Sequence, residues 1–323
     1  MDLNQNEDVF SAFVDEYQKN FFDMLFRFES KAEPIKEAWT REDGRGHGLT
    51  CVIQDGNFFE KAGVNVSRIT IPLSQGIYQQ MKGRRVPGSN LDQIDMNNLA
   101  QYDTYANGVS LVIHPINPFC PTVHANFRTI RIKERETGKL IDSWFGGGSD
   151  LTPIYLFDED AKFYHQNIKD AIVEVTGDDK LYRQYKKECD EYFVNHHRKE
   201  ARGIGGVFYD DFNLESFEKG LQFQKGVAYA NLNSYEAILK RRKDTPYNDE
   251  NVRWRSFRRG RYAEFNLIHD RGTKFGLMTP DARIESILMS LPLTARWEYN
   301  YHPKEGTEEA RIVGVLLKPV EWV

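Results

Sequence analysis

The chain has 323 residues, of which 40% are hydrophobic and 28% charged, and a formal net charge of -5. That balance suits a globular protein and argues against a dedicated nucleic-acid binder. No apolar run approaches the roughly 18 residues that span a membrane, and the acidic opening "MDLNQNEDVF" has neither an apolar signal core nor an Arg-rich transit pattern, so a cytosolic protein is expected.

In chain order, "VFSAFVDEYQKNFFDMLFRFES" predicts a helix, because Phe10, Phe13, Tyr17, Phe21 and Leu25 recur at helical spacing. Strands are predicted at "LTCVIQDG", "VSRITIPL", "VSLVIHP" and "TVHANFRTIRI". Pro115, Pro118 and Pro121 keep the loop between the last two out of helix. "KERETGKLIDSWF" reads as a hairpin turning near Thr137 and Gly138. Helices dominate from Asp158 to about Lys243, with breaks near Thr176–Asp179 and Ala201–Gly206. Strand pattern returns at "GRYAEFNLIHD" and "KFGLM", then a late helix at "RIESILMSLP", then strand candidates "ARWEYNY" and "RIVGVLL". Strands that follow strands imply an antiparallel sheet with helices packed on it, an α+β class, and no linker or repeat divides residues 1–323 into more than one domain.

Side chains alternate along a strand, so His124, Asn126 and Arg128 share one face and Val123, Ala125 and Phe127 the other. Ser110, Val112 and His114 likewise share a face. Such a polar face is either wet surface or the wall of a site. "FGGGSDLTP" lacks the spacing of a phosphate loop, and is either a flexible turn or a lid over a pocket. Asp210 and Asp211 close "VFYDDF" and read as solvated turn residues or as acid/base partners. His165 falls in a helix, and His197 in the next, on a stripe with Cys189 and Phe193. His114, His124, His165 and His197 either are core and pocket histidines or converge on a metal, although none has an HxH or HExxH spacing. Arg128, Arg271 and Arg283 stand at predicted element ends, as forks for carboxylates or as surface ion pairs. Cys51, Cys120 and Cys189 form no CxxC or paired framework and are expected as buried free thiols.

"GVSLVIHPINPFCPTVHANFR", "WFGGGSDLTPIY", "HRKEARGIGGVFYDD", "GRYAEFNLIHDRGTKFGL" and "RIESILMSLPLTARWEY", with "DGNFFEKAGVNVS" before them, resemble the oxygen-dependent coproporphyrinogen III oxidases from about Phe21 to Val323. Two segments depart: "GRGHG" carries Arg45 and His47 where relatives carry glycines, and "PDAR" reads Asp281-Ala282-Arg283 where they carry Gly-Gly-Arg or Gly-Ser-Arg. The resemblance implies a large flat antiparallel sheet of about seven strands, flanked by helices on both faces, in a homodimer. It implies oxidative decarboxylation of two propionates of coproporphyrinogen III, with molecular oxygen as co-substrate and no organic cofactor. By position, His124 matches a proton donor, and Asp270 and Arg271 a pair that handles substrate. Ser110, Asn126, Phe127, Arg128 and the segment Asp281, Ala282 and Arg283 match substrate contacts. His114, His124, His165 and His197 match histidines proposed to bind a divalent metal. Asp270 is the candidate base for a pyrrole N–H. Two rivals are a tetrapyrrole carrier that kept the fold without turnover, and a histidine-site metalloenzyme acting on another substrate.

Overall fold

The computed structural model describes residues 3–84, 90–278 and 282–323. Helix α1 (Leu3–Leu25) leads into strands β1 (Ile35–Thr40), β2 (Gly46–Gln54) and β3 (Phe59–Pro72). Helix α2 (Gln75–Arg84) and two 3₁₀ turns separate these from β4 (Tyr102–Pro115), β5 (Thr122–Glu134) and β6 (Leu140–Thr152). Helices α3 (Asp158–Thr176) and α4 (Asp179–Tyr192), the short ribbon β7 (Val194–Asn195) and β8 (Glu200–Ala201), and β9 (Gly206–Phe212) follow. The chain then runs through α5 (Phe217–Arg242), α6 (Asp249–Glu264), a π turn (Phe265–His269), α7 (Arg271–Met278), α8 (Ile284–Leu288) and α9 (Glu308–Leu317). Seven strands form one antiparallel sheet in the order β1-β2-β3-β4-β5-β6-β9, which is the α+β architecture expected.

The sheet has two unlike faces. On one, Val64, Val66, Leu111, Val123, Ala125, Phe127 and Val207 are buried with the apolar stripe of α1, where Phe10, Phe13, Tyr17, Phe21 and Leu25 are all inaccessible. The Phe127 ring meets Tyr17 edge-on at 5.5 Å. Burying one such ring stabilises by about 1.5–3 kcal/mol. The other face carries the polar alternation, and the segment from α8 to Ser290 lies over part of it. Thr50 Oγ1 lies 3.1 Å from Ser286 Oγ, Asn65 Nδ2 donates to the Ser286 carbonyl (3.2 Å), and Lys61 Nζ donates to the Leu288 carbonyl (3.1 Å).

Several local expectations are corrected. The glycine run is neither a turn nor a lid: Gly146, Gly147 and Gly148 lie inside β6. A Cβ at Gly147 or Gly148 would collide with the carbonyl of Asn126 or of Val207, so glycine is what lets β6 pass between β5 and β9. "GRYAEFNLIHD" and "KFGLM" are helical and belong to α6, the π turn and α7. Arg255, Arg258, Arg259 and Arg261 are buried in α6, so polarity there does not report exposure and the apparent alternation is false. "RIVGVLL" is helix α9, capped by Thr307, with Ile312 and Leu316 buried one turn apart. "ARWEYNY" has no regular structure. Helix α4 stops at Tyr192, so His197 lies in the turn between β7 and β8 and off the stripe of Cys189 and Phe193.

Candidate active site

The polar face is built in rows across the strands. Val112, His124 and Asp150 are opposite one another on β4, β5 and β6, and Ser110, Asn126 and Gly148 form the next row. Gly108, Arg128 and Gly146 form the third. A Cβ on Gly146 would lie 3.0 Å from both Arg128 Nε and Asp210 Oδ1, so the glycine makes room for that ion pair.

His124 is held by a carboxylate with its own support. His124 Nδ1 lies 2.7 Å from Asp150 Oδ1, and Arg202 Nη2 donates to both Asp150 oxygens at 2.8 Å. Asp150 is 1% exposed and Arg202 3%. Burial alone would raise the Asp150 pKa. The opposing Arg202 charge and the His124 hydrogen bond outweigh it and hold the carboxyl below its ordinary value. An ionised carboxylate only accepts, so Nδ1 of His124 carries the proton, and Nε2 has no partner among the described residues. The Arg202 guanidinium packs against Phe193, Tyr262 and Phe265 at 4.1–4.7 Å and donates through Nη1 to Asn266 (3.0 Å).

Two of the three candidate arginines meet at one carboxylate on this sheet, and the third stands toward its β1 edge. Arg128 Nη1 donates to Asn126 Oδ1 (2.7 Å), and Arg128 pairs with Asp210. Arg271 Nη2 reaches the other oxygen of the same carboxylate (2.9 Å). Arg283 pairs with Glu37 (2.5 Å) and stands 5.8 Å from the Trp39 ring at the start of α8. Asp270 follows the π turn and accepts from Tyr192 O–H (3.1 Å) and Thr273 N–H (2.6 Å). The structure thus gathers Ser110, His124, Asn126 and Arg128 on one face and joins Arg271 to Arg128 through Asp210. Phe127 is different: its side chain faces the apolar core, leaving its backbone beside Asn126 and Arg128. Ala282 precedes α8 outside regular structure, and Asp281 lies outside the described residues. Arg45, one of the departures, pairs with Asp103 (2.6 Å).

The four histidines considered for a metal are not brought together. Both ring nitrogens of His114 are engaged, with Thr122 Oγ1 (3.1 Å) and the Ser290 carbonyl (2.9 Å). Those of His165 meet Tyr182 O–H (2.8 Å) and the Ile204 carbonyl (3.1 Å). Burial lowers the His114 pKa to about 4 and that of His165 to about 3. His197 contacts His269 and Glu264, each at 2.9 Å. Among the described residues no group of three or more His, Cys, Asp or Glu is placed to share an ion. This donor set does not fit a resident metal.

Sequence reasoning missed Asp150, Arg202 and Tyr192, and Asp210 was weighed only as a member of an aspartate pair. A signal existed for Asp150: a hairpin centred on Thr137 puts residue 150 opposite 124. Arg202 had none, since it arrives from the β7–β8 ribbon.

A profile of the coproporphyrinogen III oxidase family matches residues 9–322. The chain is 46% identical over 309 residues to a Drosophila melanogaster protein named oxygen-dependent coproporphyrinogen-III oxidase, covering 95% of this chain and 76% of that one. It is 47% identical over 299 residues to the mitochondrial oxygen-dependent coproporphyrinogen-III oxidase of Rattus norvegicus (93% and 65%). It is 42% identical over 316 residues to the chloroplastic one of Glycine max (97% and 79%). The chain spans 65% to 79% of the length of these relatives. It belongs to the coproporphyrinogen III oxidase family.

Proposed function

We propose that the chain is an oxygen-dependent coproporphyrinogen III oxidase. It converts two propionates of the substrate to vinyl groups and yields protoporphyrinogen IX. Each conversion takes one O₂ and one proton and releases one CO₂ and one H₂O₂. The observation that supports this reading most is the polar sheet face, where an imidazole aimed by a buried carboxylate stands among arginine forks. Four propionates need cationic holders, and Arg128, Arg271 and Arg283 offer rigid ones, with Ser110, Asn126, Ala282 and the Phe127 backbone completing the contact set.

The chemistry follows from an electron-rich pyrrole. Asp270 takes the N–H proton, and the anion adds O₂ at a ring carbon. The resulting peroxide removes a propionate β-hydrogen as CO₂ leaves, hydroperoxide departs from the ring, and Asp270 returns its proton to the pyrrole nitrogen. His124 supplies the proton that balances the step through Nε2, and Asp150 stabilises the imidazolium that donates it. O₂ is the acceptor, so no organic cofactor is required. The reading includes one domain, a homodimer and a cytosolic location, tested by limited proteolysis, light scattering and cell fractionation.

An oxygen electrode with purified protein and reduced substrate tests the activity. One O₂ consumed and one CO₂ released per vinyl group is the expected result. Tight binding of coproporphyrinogen without oxygen uptake would make the chain a carrier and sink the assignment.

A further inference from the structure

We infer that Tyr192 is a positioning residue, which fixes Asp270 and Arg271 in one orientation toward the polar face. The inference rests on the reading of those two residues given above. Tyr192 is the last residue of α4, remote in sequence from both. Its hydroxyl proton goes to Asp270 Oδ1 (3.1 Å), and the Tyr192 hydroxyl oxygen accepts the backbone N–H of Arg271 (3.2 Å). A phenol donates once and accepts as well, so both bonds form together. The Arg271 guanidinium lies 4.7 Å over the ring, a cation–π contact that reinforces the backbone bond.

The ring that carries this hydroxyl is itself fixed. It stacks on Phe208 at 4.4 Å with 7° between planes, and meets Phe193 and Phe265 edge-on at 4.8 and 5.9 Å. The hydroxyl is thus placed by packing before it bonds. Its partners sit at the junction where the π turn ends and α7 begins, a place where the backbone changes direction. Asp270 Oδ2 is already held there by Thr273 N–H. Tyr192 supplies the partner for the second oxygen, and without it the carboxylate has one fixed point instead of two. A base must be within hydrogen-bond reach of its proton and correctly turned, so orientational freedom shows in turnover.

Tyr192→Phe keeps the ring and removes only the hydroxyl. It is expected to lower kcat about tenfold or more while KM moves less than about threefold. Tyr192→Leu also removes the platform under Arg271 and is expected to raise KM about tenfold in addition. Asp270→Asn and the double variant Tyr192→Phe/Asp270→Asn are measured in parallel. If Tyr192 acts through Asp270, removing the hydroxyl costs the Asp270→Asn protein little of its residual turnover. Wild-type kcat in Tyr192→Phe overturns the inference, and so does a full, independent loss in the double variant. A Tyr192→Phe loss that merely tracks a lowered melting temperature also overturns it. Unimpaired turnover by Asp270→Asn alone is a different failure, that of Asp270 as the base.

Discussion

His124 and Asp150 meet because they are opposite one another on adjacent strands, with Arg202 locking the carboxylate from the far side. Removing the imidazole should lower turnover by roughly 10²–10⁴-fold, the usual contribution of a proton-transfer group, with a smaller effect on substrate binding. Steady-state kinetics and a binding titration of His124→Ala check this. Early melting with near-normal turnover would make His124 a packing residue. Asp150→Asn strands a buried guanidinium and should cost about 3–5 kcal/mol of stability. The sign of the pH effect follows from the depressed Asp150 pKa. Its stabilisation is fully present above the unfolded value near ~3.9 and is lost as pH falls through the lower folded value. The stability gap between wild type and Asp150→Asn should therefore narrow below pH ~4, as melts from pH 3 to 7 would show. The alternation of His124, Asn126 and Arg128 was readable from the sequence, since strand geometry fixes it. The partners of His114 and His165 were not, because a histidine symbol does not say which carbonyl or hydroxyl takes each ring nitrogen.

At the scale of elements, the α6–π turn–α7 junction sets where Asp270 points. Asp270 accepts from Thr273 N–H in the manner of a helix N-cap. Asn caps nearly as well as Asp, so Asp270→Asn should melt within about 2 °C of wild type. Its turnover should nonetheless fall by about 100-fold or more, which kinetics and calorimetry on the same preparation will separate. A second junction shows the opposite case, a carboxylate that is structural. Glu29, just after α1, is 3% exposed. Its two oxygens accept backbone N–H groups from Ser30, Lys31, Ala32, Asn57, Phe58 and Phe59. Burial works to raise its pKa, yet these donors together bring it down to about 2. The difference from 4.5 corresponds to about 3 kcal/mol, present above the unfolded value and lost as pH falls from ~4.5 to ~2. Glu29→Gln should lose most of that at neutral pH without altering KM, as urea unfolding and kinetics would report. Of these elements, the hairpin at Thr137 and the first helix were legible from period and turn residues. The helical nature of 260–278 and of α9 was not. Buried arginines in α6 and a β-branched run in α9 imitate strand composition, and the packing that overrides it is long-range.

For the whole molecule, the antiparallel sheet was legible because strands follow strands, and its polar face because strands alternate. What joins the site into one was not: α4, the ribbon, β9 and the π turn contribute Tyr192, Arg202, Asp210 and Asp270 from far apart in sequence. The dispersed histidines carry a prediction at this scale. Exhaustive dialysis against a chelator should leave turnover within about twofold, because the ring nitrogens of His114 and His165 are committed to protein groups. Loss on chelation, restored by one divalent ion, would show otherwise. The buried cysteines bear on the peroxide that the proposed reaction releases. Cys51, Cys120 and Cys189 are free and buried, and burial pushes each thiol up, Cys120 to about 12. Peroxide attacks the thiolate, and at neutral pH the Cys120 thiol is ionised to a fraction on the order of 10⁻⁵, while burial disfavours the thiolate at the other two. In the proposed reaction, H₂O₂ leaving the polar face thus meets no reactive sulfur among these three. After many turnovers, mass spectrometry should find all three cysteines without added oxygen.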